Sequence, residues 1–383
     1  MRPPARIVVS ATAFRGSLSA PAACATLAAG LRRAWPAARV DEIPVADGGD
    51  GTLDSLLAAG ALALRSALVT GPLGAPVSAR LGWLAGEGGG AVVESAEACG
   101  LGRVPLGSRR PLVATTRGVG ELLGAALSLG ARQVVLGLGG SASSDGGAGL
   151  AQALGFRLLD RAGRELGPGG GALRALACIV SPDSPAWRGA ELLAACDVQA
   201  PLLGQRGAAR QFGPQKGAEP AEVEALEEGL ARLAERWRED LGQDVALRPG
   251  AGAAGGLGGG LMAFLGARMV SGVEWVLERI GLEARIIDAD LVVTGEGQAD
   301  GQSLEGKAVL GVARLAERLG VPVALVAGRL GPGAERLKEH GVRWLRTVDR
   351  GELSLDQALQ PEVARRLLEQ AALELALELQ STT

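Results

Sequence analysis

Near the start of the chain, apolar residues come in short runs separated by stretches with helical spacing. Ile7-Val8-Val9 predicts a buried strand, Ala20 to Ala34 a helix, Val40 to Val45 a strand and Gly51 to Ala59 a helix. The C-terminal part repeats the scheme. Leu291-Val292-Val293 predicts a strand, Lys307 to Leu319 a helix and Val321 to Val326 a strand. A helix around Glu335–Glu339, a strand at Arg343–Leu345 and an amphipathic helix from Pro361 to about Leu379 follow. Strand–helix alternation of this kind predicts a parallel sheet covered by helices on both faces.

The middle of the chain has a different rhythm. Leu64 to Glu94 predicts three strands of a meander, with turn signals at Gly71-Pro72-Leu73-Gly74 and Gly86-Glu87-Gly88-Gly89-Gly90. Helices are expected at Thr116–Leu129, Gly146–Leu154 and Ala221–Trp237, and strands at Gln133–Leu138, Phe156–Leu159 and Glu191–Cys196. At about 150 residues per domain, a chain of 383 residues suits two domains. The expected class is α/β: a discontinuous Rossmann-like parallel-sheet domain, residues 1–68 and 285–383, with an inserted mixed α/β domain, residues 69–284.

Composition removes several functions. Basic residues plus acidic residues nearly balance at 39 against 42, with no run of five like charges, so no clustered surface for nucleic acid is expected. The single histidine, His340, stands in Lys338-Glu339-His340-Gly341 and reads as the polar end of a helix. A Ser-His-Asp triad or a His-ligated zinc would have to rest on that one residue. Tyrosine is absent, which argues against a base-stacking platform. Cys24, Cys99, Cys178 and Cys196 show no C-x-x-C spacing and read as buried free thiols in a reducing compartment. The longest uncharged run, Pro249 to Ala267, is too rich in glycine to insert in a bilayer. A cytoplasmic protein without membrane partners is expected.

Candidate chemistry lies in four glycine-rich segments: Val45–Thr52, Gly137–Gly147, Pro249–Gly256 and Thr294–Asp300. Glycine lets backbone amides approach an anion, and a following helix N-terminus adds dipole attraction. The plain alternative is that glycines only make tight turns. Three of the four segments carry carboxylates, however, which favours a phosphate-plus-metal site. Two fingerprints fall short. Gly250-x-Gly252-x-x-Gly255 follows Arg248-Pro249 where a dinucleotide site needs a buried strand, and Gly301 to Lys307 has Walker A spacing with Ala308 where Ser or Thr should stand. Only three lysines occur, Lys216, Lys307 and Lys338. Lys338 reads as a surface residue; the other two sit beside glycines, where a compact ammonium suits crowded phosphate oxygens. Asp47, Asp50, Asp145, Asp197, Glu296 and Asp300 lie in or next to loops at predicted strand ends, where α/β sheets bind ligands.

These segments also carry a resemblance. Ser10-Ala11-Thr12-Ala13-Phe14-Arg15-Gly16-Ser17-Leu18, the Pro44–Thr52 loop, the Gly137–Gly147 loop, Ala195-Cys196-Asp197-Val198 with Pro201-Leu202, Phe212-Gly213-Pro214-Gln215-Lys216-Gly217, Pro249–Gly256 and Thr294–Lys307 occur in this order. Together they resemble the bacterial type I glycerate kinase family over nearly the whole chain. The resemblance implies ATP- and Mg²⁺-dependent phosphorylation of D-glycerate, usually at the 2-hydroxyl, and a discontinuous Rossmann-like domain. Two positions depart from it: Arg15 stands where Lys is expected, and Gln298 where Arg is common.

On residues and resemblance together, Asp197, Asp47 and Lys307 are expected to be catalytic. Arg15, Ser17, Gly139, Gly140, Ser141, Lys216, Gly252 and Gly255 are expected to bind substrate or phosphate, and Asp145, Glu296 and Asp300 the metal. These residues fall in both parts of the parse, so one constellation would need a site in the cleft between domains. With no usable His, a carboxylate must position the acceptor hydroxyl and take its proton, and Asp197 is the first candidate with Asp47 second. The expected partners are D-glycerate and ATP; a homo-oligomer is compatible with the sequence. The alternatives are a glycerate 3-kinase and a non-catalytic sugar-acid sensor, which magnesium-dependent transfer would exclude. A galactokinase-type kinase, suggested by Gly137–Ala142 alone, and a dehydrogenase, which lacks its histidine base, fit less well.

Overall fold

The computed structural model describes residues 3–86, 89–304, 308–349 and 351–381. The chain divides into two compact units. One runs to Asp47, takes up Asp54–Ala61 and resumes at Val273; the other comprises Gly48–Leu53 and Leu62–Gly272.

The first unit is built on a five-stranded, wholly parallel sheet. Its strands lie in the order Val342–Thr347, Val323–Leu330, Leu291–Ala299, Arg6–Val9 and Arg39–Glu42. One face carries the helices Ala20–Ala34 and Pro361–Ser381, which form a common core with Ile7, Val9, Leu291, Val293, Ala324 and Val326. Helix Ala308–Arg318 packs on the strands Leu291–Ala299 and Val323–Leu330 and shares none of that core. The sheet is therefore doubly wound, and its strand order reverses between Arg6–Val9 and Leu291–Ala299. At such a reversal the loops leave in opposite directions and open a crevice at the carboxyl ends of the strands.

Local chemistry fixes these elements. Ser19 accepts a hydrogen bond from the Ala22 N–H and so caps helix Ala20–Ala34, and Arg32 and Arg33 sit in its last turn, where the dipole favours cations. The two core helices approach closely at Gly30, where a Cβ would lie 2.3 Å from the Glu369 carbonyl oxygen. His340 closes a 3₁₀ helix, Ala334–His340, ahead of Gly341 at φ 90°. It is a helix-end residue, as its sequence context predicts.

The second unit holds a six-stranded mixed sheet. Its order is Arg268–Val270, Glu191–Ala195, Gln133–Gly137, Gly90–Glu94, Pro76–Leu84 and Leu62–Thr70. The first four strands are parallel, and the last three make the antiparallel meander. Arg157–Leu159 pairs instead with Cys178–Val180 in a separate antiparallel ribbon.

One element departs from its sequence pattern. The glycine-rich stretch after Pro249 forms helix Ala253–Leu265, although glycine is a poor helix former. Packing overrides propensity here. A Cβ at Gly258 would lie 2.1 Å from the Gly250 carbonyl oxygen, and one at Gly260 would lie 2.3 Å from that of Gly146. The helix begins with Ala254, Gly255 and Gly256 in the left-handed region, and Ala254 at φ 52° is the one non-glycine residue there among those described. A Cβ at Gly255 would also stand 2.0 Å from the Ser143 carbonyl oxygen. Gly255→Ala is expected to cost about 2–4 kcal/mol, combining backbone strain with overpacking, as measured by urea denaturation.

All four cysteines are free, with Cys24, Cys99 and Cys196 buried. Among the described residues no helix is long and apolar enough to cross a membrane.

Candidate active site

In the second unit, the candidate residues gather at the carboxyl ends of the parallel strands. Strand Gln133–Gly137 runs into a loop in which Gly139 donates its N–H to Ser95 Oγ at 3.3 Å, and Gly140, at φ 62°, accepts from the Leu101 N–H at 2.6 Å. The Gly48–Gly51 loop lies along the same ends. A Cβ at Gly137 would stand 2.3 Å from the Gly48 carbonyl oxygen, and one at Gly139 would stand 2.7 Å from Gly49 Cα. Glycine is needed at both positions because backbone meets backbone there.

Lys216 joins three of the sequence motifs. It sits in the 3₁₀ turn Pro214–Lys216, is 3% exposed, and donates from Nζ to Ser141 Oγ at 3.1 Å and to the Ser143 carbonyl oxygen at 2.5 Å. Gly255 closes over it, since a Cβ there would come within 2.8 Å of Nζ. Both acceptors are neutral, and among the described residues no carboxylate forms an ion pair with this ammonium. Burial therefore lowers its pKa from 10.5 to about 8, opposed by the neighbouring Cys99 and Asp145. Cys99, pushed up to about 12 by burial, remains a thiol.

Asp145 lies deeper than its place in a glycine-rich loop suggests. Its carboxylate is fully buried and accepts from the Thr116 N–H at 2.8 Å, Thr116 Oγ1 at 3.0 Å, the Gly149 N–H at 3.2 Å and the Gly147 N–H at 3.2 Å. Burial raises its pKa, and these donors pull it back. A carboxyl so enclosed anchors the 144–149 turn, with three of these bonds on Oδ2 and one on Oδ1. Gly252 is likewise engaged within the fold. Its N–H donates to the Ala200 carbonyl oxygen at 2.9 Å, and its backbone approaches Pro201, whose oxygen would lie 2.2 Å from a Cβ.

Asp197 follows the end of strand Glu191–Ala195. Its Oδ1 accepts from Ser271 Oγ at 2.7 Å, and Ser271 follows the neighbouring parallel strand Arg268–Val270. The carboxylate is half-buried and held by a residue at the end of the neighbouring strand.

The first unit gathers a second set at its strand-order reversal. Thr12 donates its N–H to the Gly295 carbonyl oxygen, and Phe14 and Leu18 exchange backbone hydrogen bonds around Gly16. This tight loop leaves Arg15 exposed, with its backbone beside Gly297, where a Cβ would lie 3.3 Å from the Arg15 nitrogen. Ser17 Oγ donates to the Phe14 carbonyl oxygen at 2.9 Å and stabilises the loop itself. Glu296, 6% exposed, accepts from Ser303 Oγ at 2.6 Å. Ser303 Oγ in turn accepts from the Asp300 N–H at 3.2 Å, and Asp300 Oδ2 accepts from Gln298 Nε2 at 2.7 Å. Two fully buried hydroxyls, Ser10 Oγ just after strand Arg6–Val9 and Thr294 Oγ1 on strand Leu291–Ala299, have no hydrogen-bond partner among the described residues. Asp47 is half-buried at the end of this unit's first segment. Lys307 lies outside the described residues.

Several residues at these ends carry no sequence signal. Glu94 ends an apolar strand, Thr115 and Thr116 stand at the start of a helix, and Ser271 stands seventy-four positions from the carboxylate it orients. Their partners are distant in sequence, and only pairing of the strands reveals them.

Comparison with known proteins agrees with this picture. The model of the glycerate kinase family matches residues 7–380. A glycerate kinase of Bacillus subtilis (strain 168) is 44% identical over 372 residues, 97% of either chain. A glycerate 2-kinase of Escherichia coli (strain K12) is 45% identical over 354 residues, 92% of this chain and 93% of that one. The crystal structure of a protein assigned as glycerate kinase 2 from Salmonella typhimurium LT2 superposes with a TM-score of 0.80 at 40% identity, covering 98% of both chains.

Proposed function

The chain belongs to the glycerate kinase family, a family of phosphotransferases acting on an alcohol, and on that premise we propose that it transfers the γ-phosphoryl group of ATP to the 2-hydroxyl of D-glycerate. The observation that carries the reading is Lys216. A buried ammonium held by two neutral oxygens retains a third N–H and an unneutralised charge, and a substrate oxyanion supplies what it lacks. The similarity to the glycerate 2-kinase of E. coli supports the 2-position.

Phosphoryl transfer asks the protein mainly for charge neutralisation and positioning. Lys216 meets a phosphate or carboxylate oxygen at the 139–143 loop. Asp197, held by Ser271, orients the acceptor hydroxyl and takes its proton. Arg15 faces phosphate from the tight 14–18 loop, and Lys307 is assigned the same task. Asp47 remains the second candidate for the base. Glu296 and Asp300, hard oxygen donors tied together through Ser303, fit Mg²⁺. When bound, that ion neutralises charge on the phosphate oxygens. The substrates are small molecules, with no part for nucleic acid or membrane.

Phosphorus NMR of the product tests the reading. ATP, Mg²⁺ and D-glycerate should give ADP and 2-phosphoglycerate, and L-lactate should give almost nothing. Exclusive formation of 3-phosphoglycerate would overturn the regiochemistry, and equal rates with both acids would overturn the substrate.

A further inference from the structure

Glu94 is the last residue of strand Gly90–Glu94 and precedes the short helix Ser95–Cys99, yet its side chain does not cap that helix. It reaches instead to a segment more than forty residues earlier. Oε1 accepts from the Gly51 N–H and Oε2 from the Leu53 N–H, each at 3.0 Å. The carboxyl is 1% exposed. At the other end of the loop, Thr52 Oγ1 donates to the Gly49 carbonyl oxygen at 2.7 Å. The loop so held lies along three strand ends: Gly48 approaches the Ala195 carbonyl oxygen, Gly137 approaches Gly48, and Gly139 approaches Gly49. Its exposed member is Asp50.

Burying a carboxyl is costly, and nothing in the sheet requires one at this position. A neutral apolar residue would serve the core as well. What only a carboxylate does here is accept two N–H groups at once and so fix the path of the Gly48–Gly51 loop. We infer that Glu94 is a positioning residue, which locks this loop against the strand ends and sets where Asp50 stands relative to substrate. The inference rests on the kinase reading above for its effect on rate, though not for the clamp itself. Burial raises the pKa of Glu94, and the Leu53 and Gly51 N–H groups pull it down by favouring the charged form that the clamp needs. Asp50 on the loop and Glu97 on the next helix raise it further, and Glu97 is itself paired with Arg80 and Arg103.

Glu94→Gln tests this directly. The amide nitrogen must face one of the two N–H groups, donor against donor, so one of the bonds is lost. With ATP, Mg²⁺ and D-glycerate, kcat is expected to fall about tenfold to a hundredfold, the scale of a displaced active-site group, while KM for ATP stays within about threefold. Amide exchange of residues 48–53, followed by mass spectrometry on the full-length folded enzyme, should quicken. Glu97→Gln is the control for a merely structural buried carboxyl. It breaks the Arg80 pair, lowers Tm and leaves kcat within about threefold. If Glu94→Gln does not fold, Glu94→Asp carries the test, since it keeps the charge but withdraws it by one methylene and must also lower kcat. A wild-type kcat in the variant overturns the inference. Should the wild-type protein not phosphorylate D-glycerate, the proposed function fails, and the exchange comparison decides Glu94 alone: unchanged exchange at 48–53 removes the clamp.

Discussion

Asp197→Asn is expected to lower kcat a hundredfold or more, the scale of a lost general base, while leaving the affinity for ATP within a few fold. The reasoning starts from what the chain lacks. Its one histidine closes a surface 3₁₀ helix and is not available as a base. Asp197 stands at the carboxyl end of a parallel strand, and Ser271 holds one of its oxygens at 2.7 Å. Asparagine keeps the size of the side chain and can keep the Ser271 contact, so loss of rate without loss of fold isolates the proton-accepting oxygen. Ser271→Ala should then have a smaller effect, about tenfold on kcat, because the base is present but less well oriented. Steady-state kinetics with D-glycerate as the varied substrate measures both. A near-normal kcat in Asp197→Asn would pass the role to Asp47.

How much of this was legible in the sequence differs by element. The parallel strands and their helices were legible, because uninterrupted apolar runs such as Ile7–Val9 and Leu291–Val293 belong to sheets covered on both faces, and each is fully buried. Helix Ala253–Leu265 was not. Its glycines lie where backbone oxygens of residues 146 and 250 approach, and that is a tertiary fact with no local signal. The burial of Asp145 was hidden for a related reason. An Asp before two glycines looks like an exposed turn, but two of the donors that enclose it come from Thr116, a residue that only the fold brings near. Glu94 escaped notice because an acidic residue at the end of an apolar strand looks like a solvent-facing stop. Lys216 was visible through its rarity in an arginine-rich chain. Its burial beneath the 141–143 loop and Gly255 was not.

Lys216→Met is expected to move stability and activity in opposite directions. In the fold the pKa of Lys216 drops from 10.5 to about 8, so the unfolded chain holds a proton here that the folded chain holds less tightly. Stability consequently rises with pH across the window from about 8 to 10.5, and below that window the buried charge carries its full penalty, about 3 kcal/mol at ~1.4 kcal/mol per unit. Methionine removes the penalty but leaves the Ser143 carbonyl oxygen without its donor, which costs about 1–3 kcal/mol. Near neutral pH the variant should therefore unfold at or slightly above the wild-type urea midpoint, and its advantage should vanish by about pH 10.5. Activity should behave otherwise. Removing a buried cation aimed at a developing anion costs about a hundredfold to a thousandfold in kcat/KM. The wild-type enzyme should itself lose kcat/KM as pH rises through about 8, because neutral Lys216 no longer offers a charge or a third N–H. A variant that is both as stable and as active as wild type, or a wild-type rate that stays flat to pH 10, would show that the ammonium only braces the glycine-rich loop and never meets the substrate.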